Sequence, residues 1–202
     1  MKRWFDVVAS FIGICILLPF FLLFAIFIII DSGFPVFYSQ KRVGKNGIDF
    51  SLLKFRTMKN ESDKSGLLTV GERDSRVTAV GYFLRKYKID ELPQLFNVLI
   101  GDMSVVGPRP EVKKYVALYD SEQKKVLAAK PGITDYASIE YSKENKLIAD
   151  SDNPEEFYIK TVMPAKLRMN LKYIDEQTCL PAGTTFLTDL KIIVKTIGKI
   201  FS

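Results

Sequence analysis

The stretch from Val7 to Ile30, VVASFIGICILLPFFLLFAIFIII, decides how this chain folds. It carries no charge over roughly two dozen residues, more than the ~20 that a helix needs to span a bilayer. The run is too long for a signal peptide, and the segment Asp31–Pro35 that follows it does not resemble a small-residue cleavage site. We therefore predict an N-terminal helix that enters a membrane.

The flanks of this segment and its central proline bear on its topology. The positive-inside rule expects Lys and Arg to be enriched on the cytoplasmic flank, yet Lys2 and Arg3 precede the segment and Lys41 and Arg42 follow it. Pro19 removes a backbone hydrogen bond and clashes with the carbonyl four residues earlier, so we expect a kink there. These features favour a re-entrant helix whose ends return to one face of the membrane, with an ordinary bent transmembrane helix as the alternative.

The composition limits the chemistry that the chain can perform. Its 202 residues suit one domain, and a net charge of +6 with a pI near 9.2 implies anionic partners: nucleic acid, acidic lipid headgroups or phosphorylated small molecules. Histidine is absent, which excludes a Ser-His-Asp triad, a Cys-His pair and a His-ligated zinc site. The two cysteines, Cys15 and Cys179, offer no disulfide framework and fit a reducing, cytoplasmic setting.

The rest of the chain has the pattern of a hairpin followed by helices. Val36–Met58 alternates apolar and polar residues around a turn at Gly44–Gly47, which predicts a small β-hairpin. The polar stretch Lys59–Thr78 predicts a mobile loop of a kind that often closes over a ligand. Apolar spacing and turn residues predict helices over Val80–Lys88, Leu92–Ile100, Glu111–Ala129 and Pro154–Ile174, the last interrupted near Pro164, and a turn at Pro131–Gly132.

The last thirteen residues have the pattern of an amphipathic helix. Lys191, Lys195 and Lys199 fall on one helical stripe. The other side is apolar and consists of Leu190, Ile193, Val194, Ile197, Ile200 and Phe201. This pattern is typical of a helix lying on a membrane surface, and a core helix with a solvated lysine edge fits it equally well.

Two adjacent carboxylates, Asp90 and Glu91, stand in KIDELPQLFNVLIGDMSVVGPRPE, which runs from Lys88 to Glu111. A structural interpretation makes Asp90 the cap of the following helix and places Glu91 favourably beside the helix dipole. Asp102 likewise fits a turn or a cap better than a metal site.

Cations surround this acidic pair in the sequence, and Arg109 follows it between two stiffening prolines. A carboxylate can attack a phosphorus atom to form an acyl phosphate, or hold Mg²⁺ against a diphosphate, and both tasks need adjacent cations. Asp90 and Glu91 are therefore candidate catalytic residues, and Asp90 is also a candidate Mg²⁺ ligand. The candidate substrate-binding residues are Lys54, Arg56, Arg76, Arg85 and Arg109.

Four segments of the chain resemble the bacterial sugar transferases, the small monotopic phosphoglycosyltransferases that start glycan assembly on a polyprenol carrier. They are KRVG at Lys41–Gly44, KFRTM at Lys54–Met58, KPGIT at Lys130–Thr134, and RDSRVTAVGYFLRKYKIDELPQLFNVLIGDMSVVGPRPE at Arg73–Glu111. The resemblance covers nearly the whole chain, and its most specific part is the Asp-Glu pair followed by LPQLFNVL and GPRP.

The resemblance implies a Mg²⁺-dependent reaction in two steps at the bacterial inner membrane, with the catalytic part on the cytoplasmic face. Asp90 corresponds to the nucleophile that takes a phosphosugar from a UDP-sugar and releases UMP, and polyprenol (undecaprenyl) phosphate then accepts the phosphosugar. Glu91 matches the second acid of the dyad, which positions Mg²⁺ or Asp90 or acts as a base. Arg85 and Arg109 fall where the family places phosphate-binding arginines.

The resemblance also completes the expected architecture. We predict an α+β, mostly helical, single domain over residues 1–202, with a re-entrant membrane helix over residues 1–33 kinked at Pro19. Residues 34–202 would form the catalytic part, with a small β-hairpin and amphipathic interfacial helices around the active site and with membrane lipids as neighbours. The expected pathway is capsule, O-antigen, exopolysaccharide or glycoprotein assembly.

Two departures from the family pattern affect these expectations. Many relatives carry Ser before the kink-forming proline, whereas Leu18 stands here, so the kink angle is not defined by the pattern. Many also have Gly-Trp where this chain has Asp135 and Tyr136, in a region that we expect near the sugar. The identity of the UDP-sugar is therefore open.

Two other classes of function compete with the transferase. A membrane-tethered nucleic-acid-binding protein would use the basic charge, but no nucleic-acid-binding motif occurs, and we expect no nucleic-acid partner. A non-enzymatic membrane scaffold would tolerate the loss of the Asp90 carboxylate, whereas a transferase would not.

Overall fold

The computed structural model describes residues 1–60, 62 and 74–200, and this part of the chain is α+β and mostly helical, as predicted. Four short strands form two separate two-stranded sheets within it. The elements are α1 Lys2–Ser32, β1 Phe37–Val43, β2 Asp49–Phe55, α2 Ala79–Lys86, α3 Gln94–Ile100, β3 Ser104–Val106, α4 Lys113–Val116, β4 Gly132–Thr134, α5 Tyr136–Glu140, α6 Glu144–Ala149, α7 Pro154–Phe157, α8 Met163–Cys179 and α9 Ala182–Ile200.

The N-terminal apolar segment forms one long helix, α1, which continues through Pro19. Its 31 residues give a length of about 46 Å at 1.5 Å per residue. Among the described residues it is the one helix with the length and composition to cross a membrane. Pro19 does not divide it into two helices, and the bend expected there stays a prediction. Its exposed side chains are mainly apolar and include Phe11, Ile12, Ile16, Leu18, Phe20, Leu22, Leu23, Ile26, Phe27 and Ile30.

The N-terminal end of α1 is tied to the rest of the molecule by polar contacts. Lys2 Nζ donates to Asp189 Oδ2 at 2.5 Å, and Arg3 donates to the carbonyl of Val98 at 2.6 Å. The carboxylate of Asp6, 3 % exposed, accepts from Ser104 Oγ at 3.0 Å. The first turns of α1 therefore lie against α3, β3 and α9.

The C-terminal end of α1 is tied to the same body. Arg56 at the end of β2 donates to Ser32 Oγ at 2.9 Å and to the carbonyl of Phe34 at 2.7 Å. The carboxylate of Asp31 accepts from the Val80 N–H at 3.0 Å, in the first turn of α2. Both ends of the apolar helix thus contact one body.

The hairpin forms as predicted from the alternating pattern. β1 pairs antiparallel with β2, with Phe37 opposite Phe55 and Val43 opposite Asp49, and a short turn at Lys45–Gly47 joins them. The side chain of Asn97 in α3 braces β2, since its amide donates to the carbonyl of Ser51 at 2.8 Å. The hairpin is therefore held against the helix that follows the acidic pair.

Two predictions about the segment after the acidic pair are wrong. A single helix over Glu111–Ala129 does not form; the structure has only α4 and a 3₁₀ turn at Gln123–Ala128 there. Pro131–Gly132 does not simply turn, because Gly132 begins β4, which pairs parallel with β3. Three-residue strands carry too little alternation to be recognised from sequence.

The helix predicted over Pro154–Ile174 is present but longer, and its irregular part precedes Pro164. α7 passes into a π-helical turn at Tyr158–Val162, which continues into α8. Pro164 lies in the first turn of α8, where its missing N–H costs little. The main core cluster forms around this region from Val112, Tyr115, Tyr119, Val126, Ile148, Tyr158, Val162, Met163 and Leu167.

The C-terminal helix α9 contacts the body along a narrow face. Asp189 and Ile192 are buried, whereas Leu190, Val194 and Ile197 are exposed. An apolar stripe that faces outward favours the membrane-surface interpretation over a core helix.

Candidate active site

The acidic pair lies in a 3₁₀ turn, Ile89–Glu91, between α2 and α3. The turn is entered through Lys88 in the left-handed conformation (φ 57°), which costs a residue with a side chain about 1 kcal/mol or more. α3 begins later, at Gln94, and its N-cap residue is Pro93. The interpretation of Asp90 as the cap of this helix is therefore wrong.

Asp90 is buried, with 6 % of its surface exposed, and its Oδ1 atom has no hydrogen-bond partner among the described residues. Burial raises the pKa of Asp90, the charge of Glu91 acts in the same direction, and the charge of Lys54 opposes it. An unpartnered buried carboxylate oxygen is costly to keep. Such an atom is typical of a functional site, where a substrate or an ion completes its contacts.

Glu91 is bonded to two cations that come from distant parts of the chain. Arg109 donates to both of its oxygens, through Nη1 to Oε2 at 3.1 Å and through Nη2 to Oε1. Lys54 Nζ donates to Oε1 at 3.1 Å. Burial opposes the charge on Glu91, but the charges of Arg109 and Lys54 outweigh it and hold the pKa of Glu91 well below its usual range.

The two cations respond differently to this environment. Burial lowers the pKa of Lys54 despite the nearby charge of Glu91. The charge of Glu91 raises the pKa of Arg109, whose guanidinium stays protonated in any case. Arg109 is thus a fixed positive charge at the dyad, and Lys54 is a second cation beside it.

Arg109 is positioned by a close contact between two backbones. A Cβ atom added to Gly107 would lie 2.4 Å from the carbonyl oxygen of Lys130, and one added to Gly132 would lie 2.1 Å from the nitrogen of Gly107. The loop after β3 then passes to Arg109, whose N–H donates to Asp135 Oδ2 at 3.0 Å. The glycines of GPRP and KPGIT therefore permit β3 and β4 to meet.

Asp135 is a residue whose role sequence reasoning missed. It is completely buried, and besides binding the Arg109 N–H it caps α5 by accepting from the Ser138 N–H at 2.5 Å. Its neighbour Tyr136 donates to Glu176 Oε2 at 3.1 Å. The only available signal was that a charged residue stands where many relatives have glycine.

Glu111 is a second residue whose role the sequence did not reveal. It accepts from Arg42 at 3.0 Å and from the hydroxyl of Tyr158. These contacts join the hairpin, the segment that follows Arg109 and the main core cluster.

The other predicted substrate-binding residues lie at different distances from the dyad. Arg85 is close enough for its charge to act on Asp90. Arg76 is bonded to Asp74, with Nη2 to Oδ2 at 2.6 Å, and its contribution to substrate binding stays a prediction. Most of the predicted loop Lys59–Thr78 lies outside the described residues.

Arg56 hydrogen-bonds to groups other than the acidic pair. It is 5 % exposed and donates to the end of α1 and, at 2.6 Å, to Asn60 Oδ1. The structure brings Asp90, Glu91, Lys54 and Arg109 together and gives Arg56 contacts that fix the end of the apolar helix.

The donor set at the dyad fits a Mg²⁺ ion held mainly by substrate. Asp90 Oδ1 is a buried carboxylate oxygen with no partner among the described residues, whereas both oxygens of Glu91 accept from cations. The described part of the chain contains no cluster of three or more acidic or cysteine ligands. Mg²⁺ commonly takes one or two protein carboxylates and completes its shell with phosphate oxygens and water.

Comparison with known proteins gives the family of this site. A model of the bacterial sugar transferases matches residues 1–202. The chain belongs to the bacterial sugar transferase family. An uncharacterized sugar transferase of Bacillus subtilis (strain 168) is 37 % identical over 201 residues, which are 99 % of this chain and 87 % of that protein.

Two longer relatives of this sugar transferase have names that state an activity. The undecaprenyl-phosphate glucose phosphotransferase of Komagataeibacter xylinus is 36 % identical over 209 residues, covering 100 % of this chain and 36 % of that protein. The UDP-N-acetylgalactosamine-undecaprenyl-phosphate N-acetylgalactosaminephosphotransferase of Aeromonas hydrophila is 42 % identical over 142 residues, covering 69 % of this chain and 34 % of that protein. The chain spans about a third of the length of these two relatives.

Proposed function

We propose that this sugar transferase moves a phosphosugar from a UDP-sugar to undecaprenyl phosphate through a covalent intermediate on Asp90. The observation that carries the proposal is the Oδ1 atom of Asp90, which is buried and without a partner in the described part of the chain. The charges of Lys54, Lys88 and Arg85 act on this carboxylate. The family match and the activities in the names of the two longer relatives support the substrate class.

In the first step a carboxylate oxygen of Asp90 attacks the phosphorus that carries the sugar. A new O–P bond forms, the bond between that phosphorus and the bridging oxygen breaks, and UMP leaves with the bonding electron pair. Arg109, Lys54 and the nearby Lys88 offset the charge of the diphosphate, which otherwise repels an attacking carboxylate.

In the second step a phosphate oxygen of undecaprenyl phosphate attacks the same phosphorus. The Asp90–phosphorus bond breaks, the Asp90 carboxylate is restored, and undecaprenyl diphosphosugar is formed. Mg²⁺, when bound by Asp90 and the substrate phosphates, would supply further positive charge to the diphosphate.

Glu91 is assigned a positioning role rather than that of a base. Both of its oxygens accept hydrogen bonds from cations, and the pKa of its carboxyl is held well below the usual range, so it is a poor proton acceptor. It fixes Arg109 and Lys54 at the dyad. A guanidinium has five N–H donors, and the bonds to Glu91 engage two of those of Arg109.

The two ends of α1 support a location at the boundary of a membrane. Both contact one body, and a crossing helix would separate them by the thickness of the bilayer, about 30 Å of hydrocarbon. We therefore propose a re-entrant α1 in the bacterial inner membrane, with α9 on its surface and the dyad on the cytoplasmic side. The water-soluble donor and the lipid acceptor meet at such a boundary.

The covalent step is tested by incubating purified protein with Mg²⁺ and a panel of sugar-labelled UDP-sugars without acceptor. The expected result is UMP release of about one equivalent, with label on the peptide that contains Asp90, for at least one sugar. Asp90→Asn should abolish both signals, while Asp49→Asn, at an exposed site on β2, should retain them.

The outcomes separate the competing functions. UMP that appears only after undecaprenyl phosphate is added would indicate direct displacement instead of a covalent intermediate. Full phosphosugar transfer by Asp90→Asn would remove Asp90 as the nucleophile, and a wild-type protein that transfers no phosphosugar would favour a membrane scaffold. The same panel identifies the donor sugar, which the relatives' names give differently for different proteins.

A further inference from the structure

An apolar groove lies between the second half of α1 and the first turns of α2. Its volume is about 440 Å³, and it is lined by Phe24 and Phe27 from α1 and by Ala79, Val80 and Phe83 from α2. Phe27 and Phe83 are 45 % and 48 % exposed, so their rings form open walls and are not part of the core. The groove is therefore suited to an apolar chain.

The outer side of the groove continues into the apolar surface of α1. Ile26 and Ile30 are exposed beside Phe27 on the same helix, and Phe34 is exposed just beyond its end. These side chains belong to the segment that enters the membrane. Hydrocarbon from the bilayer can therefore reach the groove without crossing water.

The inner side of the groove leads toward the acidic pair. Phe24 and Val80 belong to the same apolar cluster as Ile89 and Leu92, the two residues that flank Asp90–Glu91. α2 ends in Arg85 and Lys86, and Lys88 follows. The charges of Arg85 and Lys88 act on Asp90.

The groove is held in place by fixed contacts. The Asp31 carboxylate accepts from the Val80 N–H at 3.0 Å and joins the end of α1 to the start of α2. Thr78 caps α2 by accepting from the Gly81 N–H at 3.0 Å. The site is thus formed before any ligand arrives, which lowers the cost of binding.

We propose that this groove holds the isoprene units nearest the phosphate of the polyprenyl phosphate acceptor. The inference rests on the proposed function and names the part of the chain that receives the acceptor's tail. An apolar groove that leads to Arg85 and Lys88 complements a molecule with a hydrocarbon chain and one phosphate end.

The spacing favours a prenyl phosphate over a glycerophospholipid. Val80 and Arg85 are five residues apart in α2, about 8 Å at helical rise, and Lys88 follows the end of this helix. In a prenyl phosphate, hydrocarbon begins one oxygen away from the phosphorus and fills this interval. A glycerophospholipid would place its ester groups there, against the apolar Val80 and Phe83, where they lose their hydration.

A substitution that fills the groove tests the proposal. Ala79 is exposed in the first turn of α2, and leucine has a good helix propensity, so Ala79→Leu keeps the fold. We expect the KM for undecaprenyl phosphate to rise about tenfold, which corresponds to about 1.4 kcal/mol. The KM for the UDP-sugar should change less than twofold.

Ala182→Leu is the matched control, since Ala182 is exposed in the first turn of α9. It should leave the KM for undecaprenyl phosphate unchanged. An unchanged acceptor KM in Ala79→Leu, or an equal rise in Ala182→Leu, would overturn the proposal.

Photolabelling locates the tail directly. Full-length protein in vesicles of phosphatidylethanolamine and phosphatidylglycerol is irradiated with a polyprenyl phosphate that carries a diazirine on an isoprene unit near the phosphate. The expected label lies on peptides containing Phe24–Phe27 or Ala79–Phe83. Unlabelled undecaprenyl phosphate should remove it, and the same excess of phosphatidylglycerol should not.

The outcomes separate a failure of the tail-binding proposal from a failure of the proposed function. Equal competition by phosphatidylglycerol would make the groove a general acyl-lipid site, and competed label on other peptides would place the tail elsewhere; either result overturns the inference. If wild-type protein releases no UMP from any UDP-sugar, the proposed function fails, while the photolabel still decides what the groove binds.

Discussion

At the scale of single residues, the site depends on a contrast between two neighbouring carboxyl groups. Asp90 has an unpartnered buried oxygen among the described residues and a raised pKa, whereas Glu91 is bonded to two cations and has a lowered one. Two adjacent acids in different surroundings can take different roles. Here the ionised Glu91 organises cations, and Asp90 is the proposed nucleophile.

The charges around Asp90 predict opposite shifts in two variants. The pH dependence of UMP release without acceptor should show an acid limb that follows ionisation of the dyad. Lys54→Met removes a positive charge that lowers the pKa of Asp90, so the limb should move to higher pH by about one unit. Glu91→Gln removes a negative charge that raises it, so the limb should move to lower pH.

The turnover rates of these variants test the same electrostatic assignment a second time. Glu91→Gln should also turn over much more slowly, because Arg109 and Lys54 lose their common anchor. Lys41→Met, at an exposed position on β1, is the control and should keep the wild-type profile. Shifts of the same sign in Lys54→Met and Glu91→Gln would contradict the electrostatic assignment.

The sequence predicted the acids but not their contacts. Asp90, Glu91 and Arg109 lie within one motif, so the pattern could select them. The ion pair between Lys54 and Glu91 spans 37 residues, and nothing in the local pattern sets its geometry. The sequence did not distinguish the roles of Arg56 and Lys54, because both are cations of the KFRTM segment. The structure shows that Arg56 bonds to the end of α1.

At the scale of elements, the parallel pairing of β3 with β4 sets the position of Arg109. Gly132→Ala should lower the melting temperature by several degrees, because an added Cβ would meet the backbone of Gly107 at 2.1 to 2.6 Å and backbone cannot move aside cheaply. UMP release should fall as well, since the loop that carries Arg109 is displaced.

Gly183→Ala is the matched control for that substitution. Gly183 lies in α9, and an added Cβ would meet nothing within 4 Å. This variant should be neutral or slightly more stable, because alanine favours a helix over glycine. Thermal melts and UMP release measure both variants, and equal melting temperatures would show that the β3–β4 contact adapts.

Local patterns predicted the long elements and failed for the short ones. The apolar run of α1 and the alternation of the hairpin are strong signals, and both elements formed. The parallel pair β3–β4 joins segments about 28 residues apart, with three residues on each side, and such pairing depends on tertiary contacts. The helix predicted over Glu111–Ala129 failed for the same reason, since its apolar residues pack into the core cluster from short turns.

At the scale of the whole molecule, the topology of α1 gives a direct prediction. In a chain with Cys15→Ser and Cys179→Ser, single cysteines are introduced at Trp4 and Phe34, which are 75 % and 72 % exposed. A re-entrant helix places both on the cytoplasmic side, so a membrane-impermeant maleimide should label both only after the cells are opened. Labelling of one position in intact cells would show that α1 crosses the membrane.

The ion pair of Lys2 with Asp189 has a consequence for biosynthesis. The two residues are 187 positions apart, so the ribosome makes the carboxylate long after the ammonium has been translated. A nascent chain that stalls before α9 would leave the start of its membrane helix without this counter-charge. α1 thus reaches its mature state only when α9, which is made much later, docks, and truncation of α9 should affect the membrane insertion of α1.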